Sequence, residues 1–370
     1  MTTTVPRRTT VAFDVGPLVG RRTGIGQAVE YLLAGLQALP TPPQLVPYLL
    51  SFRAEVAGGT TRLRYPASIA HRCWARWDHP RADRMLGRPD VVHGTNYVVP
   101  PSKAARLVTV YDCWFLRHPD KVHADIARAG QVLRRAVATG ATVHASSMAT
   151  ADEVRELLGA PRVEVIPLGP IPTPAPDGDA GRPEALADGR PFILAIGTQE
   201  RRKNLPALVR AFGSVHHRLG GCRLVLAGGE GDDTERIAAA LATLPAGARA
   251  DVVALGFVDD ATRAWLTHRA QILAYPSLDE GFGFPLLTAM AAGVPIVAST
   301  AGSIPEVVGD AAETVSPENV FEIARAVKDI LLDAGLRVEL VSRGFERLRF
   351  FSWHKTAQEV LRIYSEVPRR

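Results

Sequence analysis

The chain has 370 residues, 46% of them hydrophobic and 22% charged, a balance that excludes wholesale disorder and favours two domains, each with its own core, over a single one. The net charge of +5 is uneven: residues 1–170 hold 21 Lys and Arg against 13 Asp and Glu, a net +8, which leaves −3 for residues 171–370. No run approaches the roughly 20 apolar residues of a membrane span, the opening MTTTVPRRTT lacks an apolar signal core, and Cys73, Cys113 and Cys222 have neither zinc nor disulfide spacing, so a cytoplasmic protein with reduced cysteines is expected.

The first half opens with an apolar strand over 10–15, a Gly-rich loop, and a helix over 27–39 whose apolar residues recur at helical spacing. Strands follow at 90–94, 106–112, 142–147 and 163–169, with helices over 126–140 and 150–159 between them. Segment 170–190 is rich in Pro, Gly and Asp and reads as a linker. The pattern then restarts, with strands at 192–197, 223–229, 251–256, 271–277 and 295–299, and helices after 204, at 234–244, 285–293, near 318–333 and over 353–366. Apolar strands alternating with helices predict two parallel sheets, each buried on both faces. In such sheets ligands gather at the carboxyl ends of the strands, where helix N-termini offer N–H groups.

Two stretches carry the chemistry. In PSLDEGFGFP (276–285) an acidic residue and a glycine loop stand between a strand and a helix. Gly281 and Gly283 let backbone amides approach a ligand, Pro285 suits a first helical turn, and the helix dipole favours a diphosphate. Glu280, at the strand end, is placed to accept hydrogen bonds from sugar hydroxyls. In GTQERRKN (197–204) a strand ends at Gly197 and puts Arg202 and Lys203 in the loop before a helix. Fixed cations there bind the negative charge that grows on a departing phosphate better than they bind the ground state.

With TGIG (23–26), HGTNYVVPP (93–101), GSIPEVVGDAA (302–312) and FSWHKTAQEVLRIY (351–364), these stretches make the chain resemble the retaining glycosyltransferases of family 4 over most of its length. The resemblance implies an α/β GT-B fold: an acceptor domain over 1–170, a linker over 171–190, a donor domain over 191–352, and a last helix, 353–370, crossing back onto the first domain. The two domains would face each other across a cleft. It further implies that Arg202 and Lys203 bind the donor diphosphate and Glu280 the transferred sugar. Gly197, Thr198, Gly281, Phe282 and Gly283 would line the donor, and Gly24, Ile25 and Gly26 would approach it from the first domain. No metal and no cofactor are implied; a nucleotide diphosphate sugar is the co-substrate, and the acidic runs at 232–234 and 258–260 are expected as surface turns.

Two positions depart from the family. Where relatives carry a second Glu for the ribose hydroxyls stands Thr288, and where many carry His before the Asp of the strand 106–112 stands Tyr111, followed by Asp112. His93 and His118 are the candidates to replace that His as sugar or acceptor contacts. The opening DVGPLVGRRTGIG looks like members that use GDP-mannose, so an α-mannosyltransferase acting on an oligosaccharide or glycolipid acceptor is expected. Nucleic acid is not an expected partner. The basic excess, with clusters at Arg21-Arg22 and Arg134-Arg135, reads as solvated surface or as peripheral contact with an anionic membrane. The rival readings are a nucleotide-sugar-binding protein with altered catalysis and a sugar-nucleotide 2-epimerase of the same fold.

Overall fold

A computed structural model describes residues 8–20, 23–54 and 58–367. The chain divides into two compact units, one made of residues 1–169 and 351–370 and the other of 170–350. The first is built on seven strands: β1 (Thr10–Asp14), β2 (Gln44–Leu50), β3 (Thr61–Leu63), β4 (Val91–Gly94), β5 (Ala105–Val110), β6 (Thr142–Ala145) and β7 (Val163–Val165). All pair in parallel in the order β3-β2-β1-β4-β5-β6-β7. The second holds β8 (Phe192–Ile196), β9 (Arg223–Ala227), β10 (Val252–Gly256), β11 (Ile272–Tyr275), β12 (Ile296–Ser299) and β13 (Glu313–Val315), again all parallel, in the order β10-β9-β8-β11-β12-β13. Both orders are Rossmann-like and reverse at one point, between β1 and β4 and between β8 and β11. The carboxyl ends flanking that reversal form the natural ligand crevice of each sheet.

Strand alternation divides the first core into two layers. Val11 and Phe13 pack with the helices Gly24–Gln37 and Trp353–Glu366, whereas Ala12 faces Trp74, Leu133 and Val137 on the other side. The last helix therefore belongs to the first unit. Tyr31 stacks on Trp353 with centroids 5.7 Å apart, and Thr356 Oγ1 donates to Pro167 O at 2.7 Å. Side-chain caps start several helices: Ser147 accepts from Thr150 N ahead of Met148–Leu158, and Asn319 accepts from Phe321 N and Glu322 N ahead of Val320–Leu332.

Some elements were not anticipated. Pro47 interrupts the run QLVPYLL, yet β2 forms, with Pro47 opposite Phe13. The helix Ala334–Leu348 follows Val320–Leu332 directly, started by Asp333, whose side chain accepts from Leu336 N. Segment 170–190, expected as a linker, is fastened to the second unit. Trp265 Nε1 donates to Asp179 Oδ1 at 3.3 Å, and His268 Nε2 lies 2.9 Å from Thr173 O. The acidic runs expected as turns act at helix starts: Asp259 accepts from Thr262 N, and Asp233 pairs with Arg236 at 2.9 Å.

Candidate functional site

The carboxyl edge of the second sheet, at the β8/β11 reversal, gathers the residues that the sequence singled out. Gly197 closes β8, its N–H bound to Ala227 O, and Thr198 follows. The chain then makes a single tight turn, Arg201–Lys203, which ends on Asn204 in a left-handed conformation (φ 53°) that Asn tolerates better than most residues. The Asn204 amide donates to Pro276 O at 3.2 Å and Pro317 O at 2.6 Å, and Leu278 N donates to Arg202 O at 2.6 Å. The basic turn is thus tied to the segment that follows β11.

That segment delivers Glu280, buried with 6% of its surface exposed. Its Oε1 accepts from Arg202 Nη1 at 2.8 Å, from Lys203 Nζ, and from Ser277 Oγ at 3.3 Å. Lys203 Nζ also donates to Tyr275 Oη at 2.7 Å and lies 4.6 Å from the centre of that ring. Burial pushes the Glu280 carboxyl up, but the charges of Arg202 and Lys203, with hydrogen bonds from Lys203 and Tyr275, outweigh it and hold the group at about 2. Burial pulls the Lys203 ammonium below its ordinary value against the opposing pull of Glu280. Arg202 Nε reaches a second carboxylate, Glu200, at 2.6 Å. Two cations and two carboxylates thus balance one another.

Glycine geometry holds the rest of the loop. Gly302 has φ 55°, and a Cβ there would lie 2.6 Å from Glu280 O and 2.7 Å from Glu280 N, while Ser303 N donates to Glu280 O at 2.9 Å. The backbone of Glu280 is thereby clamped by β12's following turn. Gly283 (φ 87°) is the N-cap of the helix Phe284–Ala291 and has no side chain to cover the helix end; its Cα side lies against Tyr275 and Leu286. Gly281 and Phe282 are buried beside it. Such an end, three residues beyond the Glu280 that Arg202 and Lys203 contact, suits a phosphate group.

Thr288 is 9% exposed, and its hydroxyl donates to Phe284 O at 3.0 Å, one helical turn back. Its proton is therefore engaged, which leaves its oxygen as an acceptor.

In the first domain, Thr23 caps the helix Gly24–Gln37 by accepting from Gly26 N at 3.2 Å. Gly24 is exposed, Ile25 half-buried and Gly26 buried, so the TGIG run is a helix start rather than an open loop. Arg21 and Arg22 lie outside the described residues. At the carboxyl end of β5, Tyr111 is buried, its hydroxyl pushed up by burial and by Asp14, and Asp112 accepts from Tyr97 Oη at 3.2 Å and Trp114 N at 3.2 Å. His118 is half-buried against Trp114, ring centres 4.1 Å apart. Arg134 donates to Leu157 O, and Arg135 faces Asp78 at 3.5 Å, so that cluster is held by its own domain.

His93 is placed otherwise than as a sugar or acceptor contact. It is fully buried, and both ring nitrogens are taken: Nδ1 by Tyr364 Oη at 2.7 Å and Nε2 by Thr109 Oγ1 at 2.9 Å. Thr109 Oγ1 continues to His144 Nδ1 at 3.1 Å, and His144 Nε2 to Ile166 O at 3.0 Å. A carbonyl only accepts, so His144 carries its proton on Nε2, Thr109 donates to His144 Nδ1, His93 Nε2–H donates to Thr109, and Tyr364 donates to His93 Nδ1. Burial lowers both imidazoles, His144 to about 4, consistent with this neutral chain.

Sequence reasoning missed Glu200, Tyr275, Asn204 and Gly302. Of these only Asn204, at the end of a basic turn and before a Pro-led helix, carried a local signal.

Residues 190–333 match the family model described as Glycosyl transferases group 1. O-antigen chain mannosyltransferase B of Escherichia coli is 34% identical over 47% of this chain and 45% of its own length. Phosphatidyl-myo-inositol mannosyltransferase of Mycolicibacterium smegmatis is 32% identical over 49% and 48%. The chain thus spans less than half the length of these relatives. Among solved structures, sucrose-phosphate synthase from Thermosynechococcus elongatus superposes with a TM-score of 0.73 at 20% identity, covering 97% of this chain and 99% of that one. HepE of Anabaena, solved with UDP and glucose, gives 0.72 at 15% identity over 97% and 100%. The chain shares the fold of these structures, two parallel-sheet Rossmann-like units of the GT-B type.

Proposed function

Starting from residues 190–333 as a domain of the glycosyl transferases group 1, we propose that the chain transfers a hexose with retention from a nucleotide diphosphate sugar to a hydroxyl of a glycan or glycolipid. The observation that carries this reading is the convergence of Arg202, Lys203 and Glu280 at the carboxyl edge of the second sheet, beside a glycine-capped helix. The mannosyltransferases among its relatives favour mannose, with GDP-mannose as the donor.

The charge balance of the cluster suggests how binding and chemistry divide. An incoming diphosphate takes over from Glu280 as counter-charge to Arg202 and Lys203, and Glu280 is freed to accept hydrogen bonds from the hexose hydroxyls. The bond from the anomeric carbon to the diphosphate oxygen then breaks as the acceptor oxygen attacks from the same face. Negative charge grows on the departing oxygen, where Arg202, Lys203 and the helix end stabilise it more than they stabilise the intact donor. The acceptor's proton passes to that oxygen, so no protein nucleophile is required.

Incubation with a panel of nucleotide sugars in the presence of EDTA, with and without oligosaccharide acceptors, tests the reading. Acceptor-dependent GDP release with an α-linked product supports it. Isomerised donor without acceptor would identify an epimerase, and binding without turnover a non-catalytic protein.

A further inference from the structure

At the amino edge of the first sheet, residues leading into β4 and β5 border a cavity of ≈ 910 Å³. Arg81, Arg84, Arg88 and Lys103 line it together with Asp83 and Asp90. The two acids are already engaged by other donors. Asp83 Oδ1 accepts from Ser102 Oγ at 2.7 Å and from Lys103 N at 2.8 Å, and Asp90 Oδ2 accepts from Thr10 N at 3.0 Å. Burial works against the charged form of Asp83, but these hydrogen bonds prevail and hold its carboxyl below the usual range, so it stays an anion fixed by Ser102 and the Lys103 backbone.

None of the four cations forms an ion pair among the described residues. Some arginines elsewhere in the same domain do: Arg117 with Glu153 and Glu156, Arg128 with Asp125, Arg155 with Asp152. Four cations against two acids leave the concavity with an excess of positive charge that a bound anion would offset. A guanidinium presents its donors in a planar fork that fits a phosphate, and three are available here. The volume lies within the range of about 300–1,000 Å³ typical of small-molecule sites, larger than a lone inorganic ion needs.

We propose that this cavity binds a phosphate-bearing group, a phosphomonoester or diphosphate, carried by a soluble molecule or by a lipid headgroup. The site is separate in sequence and sheet edge from every residue assigned to the transfer reaction. It neither requires that reaction nor contributes to it.

The test compares the wild-type protein with the double variant Arg84→Glu, Arg88→Glu, both positions being exposed, and with Arg84→Gln, Arg88→Gln should charge reversal disturb folding. Inorganic pyrophosphate is titrated by calorimetry, vesicles of phosphatidic acid and phosphatidylcholine are assayed by co-sedimentation, and GDP binding serves as the control for the second domain. The variants are expected to lose about tenfold or more in affinity for at least one probe, with GDP affinity unchanged. Loss toward pyrophosphate assigns a soluble ligand, and loss toward vesicles alone assigns a headgroup. Equal binding of both probes by wild type and variants, binding of neither by the wild type, or a loss that GDP binding shares would overturn the proposal.

Discussion

Arg202 Nη1 lies 2.8 Å from Glu280 Oε1, and this contact, with the one from Lys203, keeps a buried carboxylate ionised. The group sits at about 2 when folded against an ordinary 4.5. A carboxyl depressed on folding contributes stability that is complete above its unfolded value and is lost as pH falls through the folded one. The protein should therefore lose stability between about pH 4.5 and pH 2, and Glu280→Gln should flatten that part of the profile. Denaturant midpoints across this range measure it; parallel profiles for the two proteins would show that Glu280 is not held by the cations.

Thr288 stands where the family's ribose-binding Glu is expected, and its hydroxyl proton is occupied by Phe284 O. Thr288→Glu should add an acceptor for two ribose hydroxyls and tighten GDP binding by about tenfold, the worth of one additional charged hydrogen bond. Calorimetric titration with GDP measures the change. Unaltered affinity would place the ribose elsewhere.

Asp14 ends β1 at the reversal of the first sheet, where enclosure pushes its carboxyl up to about 7 against the lowering effect of the Gly16 N–H. Here the sign is reversed. A carboxyl raised on folding favours the folded state at low pH and progressively disfavours it as pH rises from 3.8 through about 7. Asp14→Asn should leave thermal stability near its wild-type value at pH 4 and raise it at pH 8, and melting curves at the two pH values check this. A loss at pH 8 would mean that the ionised carboxylate is stabilised by its surroundings.

The chain from Tyr364 through His93 and Thr109 to His144 fastens the last helix to the first sheet. Tyr364→Phe removes the only donor to His93 Nδ1 among the described residues and leaves a buried acceptor unmet, at a cost of about 1–3 kcal/mol. Urea unfolding should show that loss, while the KM for the donor stays unchanged. A raised KM with unaltered stability would restore His93 to a role at the sugar.

Much of the fold was legible because parallel strands buried on both faces leave apolar runs, and because Gly283 with Pro285 marks a helix start at a strand end. The resemblance to family 4, rather than any local signal, drew Arg202, Lys203 and Glu280 into one reading, since they are contributed by turns 77 and 78 residues apart. Partnerships between distant segments were not legible. Nothing near Lys203 in sequence announces Tyr275, and nothing near Glu280 announces the clamp by Gly302. His93 shows what a closer reading would have yielded: it follows Val91 by two positions on β4, and strand alternation places both toward the core under the last helix. Its partner Tyr364 lies 271 residues away, beyond any local signal.

The measurement closest to the central claim is acceptor-dependent GDP release from GDP-mannose by the wild type, Lys203→Ala and Glu280→Gln, each checked for folding by circular dichroism. If Lys203 stabilises the departing diphosphate and Glu280 holds the hexose, both variants should turn over about 100-fold more slowly or worse with the fold intact. Folded variants that release GDP at near wild-type rates would contradict the assignment of the transfer reaction to this cluster.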